Sequence, residues 1–481
     1  MIYILLIAYI LFTFWGSLLQ RKLKNDTPDA YFLANRNVKT LTLFFTIIAT
    51  NMSAFYFLGF AGEGYRVGYV HYFVLGFGSS LATVPLYLLG KKVWQLGKKY
   101  AYITPGELIF GQTKHRPLTL LFSGIMCFYT LPYMAVQIIG GGYILANLSN
   151  GTISYEFSVI LLTIFTILYV VIGGMESVAK TDLKQGAIMI VMMFIALFLI
   201  ASDLGGVTAA NSAAFAVSPE LFSIQGAGDR YFPQQWVSFT LIWFFSLPVL
   251  PQLFMRYNMA KDLKHFKQSA FFYGVAPFIL HLLPVCIGVW GVLSFPELVG
   301  KEADQILPLM LQTHTNEWFA ALIMIGAIAA FMSTLDSQLL ALSTMITRDF
   351  YIPFQKKKVD LKQQVWIGRL LVIVFALLGL FIAFNPFDTL FEIVALAFAG
   401  FAILFPITMF TVFWGGTHPL FGMASILIGQ FIILAFFYEW IPKSYLFGFE
   451  SYLLALIISF LLCLTGKWIP LPNKQLKLRE S

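Results

Sequence analysis

Three hydroxyls share one helical face in AAFMSTLDSQLL, residues 329–340. Ala330, Ser333, Thr334 and Ser337 stand at i, i+3, i+4 and i+7, the spacing that stacks side chains along one side of an α-helix. Hydroxyls and backbone carbonyls together give a sodium ion several oxygen ligands without fixing a full carboxylate at the site. Asp336 lies beside them. A second polar cluster, IATNMSAF at 48–55, would present carbonyls of its own if its helix unwinds there. The bland alternative is a Ser or Thr hydroxyl bonded to the carbonyl one turn back, common in membrane helices. Three hydroxyls next to an aspartate tilt the reading toward an ion, and both readings stand on this stretch alone.

The elements that must position these groups are apolar. The chain is 59% hydrophobic, 17% aromatic and 11% charged, with a mean hydropathy of +0.80, which marks an integral membrane protein. Thirteen apolar runs lie at roughly 1–20, 41–60, 70–90, 118–147, 154–172, 183–202, 236–255, 270–294, 317–346, 365–384, 389–414, 419–440 and 451–466. Each can cross a hydrocarbon core of about 30 Å as a helix. Placing the N-terminus outside and alternating the connections puts 27 of the 31 Lys and Arg residues on one side, leaving Arg66, Arg230, Lys301 and Lys443 on the other. Basic residues in short loops stay cytoplasmic. The expectation is therefore an all-α polytopic protein with its N-terminus outside and its C-terminus inside. The first run carries no preceding basic residue and is followed at once by Arg21 and Lys22, which reads as a retained signal-anchor.

The net charge of +8 is what this sorting leaves behind; it faces anionic lipid and calls for no nucleic-acid partner. No obligate protein partner is evident either. Cys127, Cys286 and Cys463 all fall inside apolar runs, at spacings that fit neither a disulfide framework nor a metal site. No nucleophile–base set or phosphate loop stands out, so an enzyme is not expected.

Several spans carry polar groups that simple anchors lack: Asn51, Ser53, Gln137, Asp182, Gln252, His281, Asp336 and Glu392 besides the three hydroxyls. Such groups are costly in lipid and face a cavity, another helix or an ion pathway. Pro248 and Pro251 interrupt 236–255, and broken helices at matching places in two halves mark inverted-repeat transporters. Pairing spans two to six with seven to eleven sets the polar stretch 49–53 against the prolines. The organisation expected is an extra helix and loop at 1–40, a first repeat at 41–203, an outer loop at 204–235, a second repeat at 236–414, and two peripheral helices with a short tail at 415–481.

The motifs IATNMSAFYFLGFAG (48–62), TPGEL (104–108), GGMESVAKTDLKQG (173–186), PQLFMRYNMAKD (251–262), AAFMSTLDSQLLALSTMITRDFY (329–351) and AGFAILFP (399–406), in this order, resemble the sodium:solute symporter family. The resemblance implies thirteen spans around a LeuT-type core of inverted five-helix repeats, with Na+ as coupling ion. It implies a principal sodium site formed by the carbonyls of Ala49, Met52 and Ala330 and the hydroxyls of Ser333 and Thr334. Asp182 matches an aspartate linked in parts of the family to a second cation or to coupling. Asp336 and Ser337 join it as candidates. On its own residues Asp182 reads equally as a cap at a helix start. The solute site implied lies among Asn51, Phe55, Gln137, Trp243, Leu247 and Phe401.

The function expected is thus sodium-coupled symport of a small organic solute by alternating access, in the plasma membrane of a bacterial or archaeal cell. A proton-coupled carrier of the same fold would shift the work to Asp182 or Asp336. A solute sensor or transceptor would bind without accumulating. Arg66 and Arg256 are expected near the membrane faces, which leaves the cavity without an assured cation and favours a neutral, zwitterionic or weakly anionic solute.

Overall fold

The helices begin where the sequence supplies an acceptor for their free N–H groups. Asn316, Asp262, Asp360 and Thr389 each accept from the backbone three residues on, at 3.0, 2.9, 2.7 and 3.2 Å, at the ends of long apolar runs. The computed structural model describes Tyr9, residues 28–173 and residues 175–470. The expected first span at 1–20, its outside terminus, the basic pair after it and the tail beyond Pro470 lie outside the described residues, Tyr9 excepted.

The bundle contains α1 (Thr40–Asn51), α2 (Phe55–Val67), α3 (Val70–Tyr100), α4 (Arg116–Leu148), α5 (Tyr155–Gly173), α6 (Met175–Asp203), α7 (Val207–Val217), α8 (Pro233–Val249), α9 (Pro251–Met259), α10 (Leu263–Leu293), α11 (Glu317–Met345), α12 (Leu361–Phe384), α13 (Leu390–Trp414), α14 (Pro419–Phe437) and α15 (Ser451–Trp468). Among the described residues there is no strand, and nine helices are long and apolar enough to cross a membrane. Two bent pairs, α1–α2 at 60° and α8–α9 at 50°, raise that number to eleven when each counts as one span. The shorter α5 covers the run expected at 154–172, so every expected span from 41 onward has a helical counterpart. The stretch 204–235, expected as loop, holds α7. Rings such as those of Phe198, Phe271 and Phe381 are exposed on the outside of the bundle, where lipid takes the place of water.

The break between α1 and α2 comes without proline or glycine. Met52 turns to φ −84° and ψ 96°, and the freed donors are then taken up locally and from a neighbour. Ser53 Oγ accepts from Phe55 N at 3.2 Å, and Gln137 Oε1, on α4, accepts from Ala54 N at 2.9 Å. An unpaired backbone group in a dry interior costs several kcal/mol, so the amide of Gln137 makes this break affordable. Gly140, one turn on, lets α4 approach: a Cβ there would fall 2.5 Å from that of Ala54.

Around α1 pack α6, α9, α10 and α11. The α2 half is clamped on α10 by small residues, since a Cβ on Gly288 would sit 2.0 Å from the Ala61 carbonyl oxygen and one on Gly64 2.6 Å from that of Val285. Such close backbone approach is how helices associate tightly in lipid. At the periphery α14 and α15 pack on each other.

Candidate ion and solute site

Four oxygens meet between α1 and α11. Ser333 Oγ lies 2.9 Å from the Ala49 carbonyl oxygen and 2.7 Å from that of Ala330; Thr334 Oγ1 lies 3.0 and 3.3 Å from the same two. All four residues are buried. Ala49 is in the last turn of α1, where the break leaves carbonyls without helical partners. Met52 stands at the break itself and is not hydrogen-bonded into this cluster. Ser333 and Thr334 thus bond the carbonyl one turn back, at i−3 and i−4, as the local reading expects, and both also bond across to α1.

Beside it is an ionic network. Arg256 is fully buried. Its Nη2 donates to Asp182 Oδ2 at 3.0 Å and to Ser337 Oγ at 2.5 Å, its Nη1 to the Gln252 carbonyl at 2.9 Å, and its Nε to Thr46 Oγ1 at 2.9 Å. Thr46 Oγ1 in turn donates to Asp182. Asp182 lies inside α6, not at its start, so the capping reading is corrected: the carboxylate is an ion-pair partner. Asp336 receives Tyr169 OH at 3.0 Å and Ser337 Oγ at 3.2 Å, and among the described residues it has no ion pair. Thr50 Oγ1 stands 3.3 Å from Ser337 Oγ, joining this network to α1. Tyr9 bonds α6 and α11 instead, with Gln185 Nε2 donating to its hydroxyl at 3.0 Å and its hydroxyl 3.7 Å from Met332 Sδ.

The expected solute residues separate into two groups. Phe55 stacks on Trp243 (centroids 5.9 Å, 29°) and on Phe391 (6.0 Å, 24°). Trp243 continues to Phe398 at 5.0 Å, and Phe398 to Phe401 at 6.4 Å; Leu247 follows Trp243 by one turn and is buried. Asn51 and Gln137 are committed elsewhere. Asn51 Nδ2 donates to Tyr273 OH at 2.6 Å, while the Gln137 amide caps Ala54 and returns a bond to the Tyr133 carbonyl at 3.0 Å. Flanking the α8–α9 break are Ser246 and Gln252, both buried, whose side-chain polar atoms have no partner among the described residues.

Sequence reasoning missed Arg256, Thr46, Tyr169, Phe391 and Phe398 as parts of this centre. Arg256 left a signal: it stands in PQLFMRYNMAKD, a full charge close behind a proline break in an apolar span. The rings left none among so many phenylalanines.

Two broken helices, an oxygen cluster at one break and unpartnered amide and hydroxyl groups at the other define a membrane transporter of the broken-helix, inverted-repeat class. The sodium:solute symporter family profile matches residues 31–429, and the chain belongs to that family. It is similar to a sodium/pantothenate symporter of Haemophilus influenzae, 26% identical over 460 residues covering 93% of this chain and 94% of that one. It is similar also to a sodium/proline symporter of Escherichia coli, 27% identical over 473 residues, 90% of this chain and 88% of that one. In fold it matches a substrate-bound, outward-open Na+-coupled sialic acid symporter with a TM-score of 0.80 at 17% identity, covering 98% of both chains. A nucleobase-cation-symport-1 family transporter closed on bromovinylhydantoin matches with a TM-score of 0.65 at 13% identity, over 94% of this chain and 99% of that one. The fold is LeuT-type, the protein is a multi-pass membrane transporter and not an enzyme, and its activity is sodium-coupled solute symport by alternating access.

Proposed function

We propose that the Ala49, Ala330, Ser333 and Thr334 oxygens, with the Met52 carbonyl, bind the coupling Na+, and that the solute binds between the two helix breaks, in a plasma membrane. The observation that carries this is the convergence of both hydroxyls on the Ala49 carbonyl, across two helices that alternating access moves apart. An ion there favours the conformation in which α1 and α11 stay together, and it shifts the equilibrium only by its differential affinity for the two states. Trp243 and Phe55 would cover an apolar part of the solute, with Ser246 and Gln252 reading its polar atoms. The relatives named above carry pantothenate and proline, so a small amide- or carboxylate-bearing metabolite is the class to try first. With about 2.3 kcal/mol per charge per 100 mV and about 1.4 kcal/mol for a tenfold sodium gradient, one Na+ supports several hundred-fold accumulation of a neutral solute.

Asp182 is neutralised by Arg256, while Asp336, beside it in this centre, is a buried carboxylate with no ion pair among the described residues. That favours a second cation at Asp336 and Ser337, or a proton there. Uptake into proteoliposomes separates them. Sodium-driven uptake lost in the Ser333→Ala/Thr334→Ala variant supports the principal site. Uptake that survives sodium removal and follows a pH gradient, abolished by Asp336→Asn, would transfer coupling to the proton.

A further inference from the structure

The face of α13 turned away from the Phe391 and Phe398 rings carries Glu392, Ala395, Leu396 and Ala399, the i, i+3, i+4, i+7 stripe. It opens on a cavity of about 510 Å³, closed on the other sides by α14, the start of α15, and the segment 443–450. This volume is in the range that holds drug-sized ligands. Phe239, Phe436, Phe437, Phe449 and Tyr452 supply aromatic wall. Phe239 also packs on Phe391 at 5.4 Å, so one layer of rings separates this cavity from the proposed solute site.

The charges around it are Arg230, Lys443, Asp388, Glu392 and Glu450. Arg230 pairs through one nitrogen with Glu392 at 2.6 Å, and Lys443 stands 3.7 Å from Glu439 with both of those side chains largely exposed. Asp388 accepts from Thr389 N at 2.7 Å. Glu450 precedes α15; its backbone N–H donates to Ser238 Oγ at 3.1 Å, but its carboxylate has no partner among the described residues. Two further polar atoms lining the cavity have none either: Gln235 Oε1 and the hydroxyl of Tyr452, a residue only 8% exposed. Two of these three groups can only accept hydrogen bonds, and the third can. The cavity thus offers unpartnered acceptors at Glu450, Gln235 and Tyr452, ring faces, and three carboxylates against two cations.

We propose that this cavity is a second ligand site, separate from the transport path, for an organic cation: a protonated amine carried on an apolar body. The ammonium would sit by Glu450, Gln235 and Tyr452, and the apolar part against the phenylalanine rings, where cation–π attraction adds to burial. Charge sorting in the sequence places this mouth outside, within reach of a free amine or of the ethanolamine headgroup of a lipid.

Calorimetric titration of the full chain in phosphatidylglycerol/phosphatidylcholine nanodiscs tests this, with 2-phenylethylammonium as probe and neutral 2-phenylethanol as its control. Saturable binding of the ammonium, at least about tenfold tighter than the alcohol, is expected. It should fall about tenfold in Glu450→Gln and more modestly in Tyr452→Phe, and persist in the Ser333→Ala/Thr334→Ala variant, which reports on the transport site instead. An unchanged melting temperature for Glu450→Gln, whose carboxylate has no hydrogen bond or ion pair among the described residues, guards against misfolding. Equal binding of both probes, no saturable binding, or binding indifferent to Glu450→Gln would overturn the proposal. Ammonium binding lost in phosphatidylethanolamine nanodiscs assigns the site to the lipid headgroup; binding retained there assigns it to the free amine.

Discussion

Arg256 donates to Asp182 across 3.0 Å with both side chains at 0% exposure. The pair ties α9, just past one helix break, to α6, and through Thr46 to α1, just before the other. Removing one member strands the other charge without water, which costs about 3–5 kcal/mol. Arg256→Gln and Asp182→Asn are therefore each expected to lower unfolding stability by that amount, and the double variant by clearly less than their sum. Denaturant titration in detergent gives the three values. Simple additivity would mean that the two side chains do not depend on each other.

How much of this centre the sequence shows depends on which signal each residue leaves. Polar residues in apolar spans are conspicuous, so Ser333, Thr334, Asp182 and Asp336 are all singled out by residue type alone, and basic-residue sorting delimits the spans. The break after Asn51 is legible only as polarity, because a distant glutamine rather than a local proline makes it tolerable. Partners are not legible: nothing in the sequence says that Gln137 faces a backbone N–H instead of a solute, or that Arg256 turns inward. Tertiary contact decides those, across separations such as Ala54 to Gln137.

Gln137 accepts the Ala54 N–H at 2.9 Å. Gln137→Leu leaves that donor orphaned, a penalty of about 1–3 kcal/mol, while Gln137→Glu in its protonated form keeps the acceptor and can donate its O–H to the Tyr133 carbonyl. If the residue serves the break, the Leu variant loses stability and the Glu variant retains most of it, with similar solute affinity in whatever protein folds. A solute affinity that collapses in both, with stability unchanged, would make Gln137 a solute contact instead.

Ser333 and Thr334 share the Ala49 carbonyl, so they are expected to act as a unit. Each single alanine variant should raise the sodium concentration for half-maximal uptake by about tenfold, equivalent to about 1.4 kcal/mol, and the double variant by less than a hundredfold. Maximal uptake at saturating sodium should be retained in the single variants. Sodium titration of uptake at fixed solute decides it, and an unchanged sodium requirement would place the ion elsewhere.

Asp304 lies in the connection between α10 and α11 and joins three elements: Arg66 Nη2 at 2.9 Å, Leu390 N at 2.8 Å, and through Arg66 also Glu63. Burial pushes its carboxyl up to about 6, although Arg66 pulls the other way. In the unfolded chain an aspartate titrates near about 3.9, so the native state holds the extra proton between those values. The stability this group contributes is then fully present below about 4 and is lost as pH rises through about 6; two units correspond to about 3 kcal/mol. The Asp304→Asn protein should show a flatter melting profile across this window. Wild type should melt higher at pH 5 than at pH 7 by a margin that Asp304→Asn largely removes. Protonation also weakens the Arg66–Asp304 pair, through which α2 is linked to Leu390 N in the first turn of α13, so the same acid window should speed cysteine labelling at positions between α2 and α13. Acid that stabilises both proteins equally would assign the effect to another carboxylate.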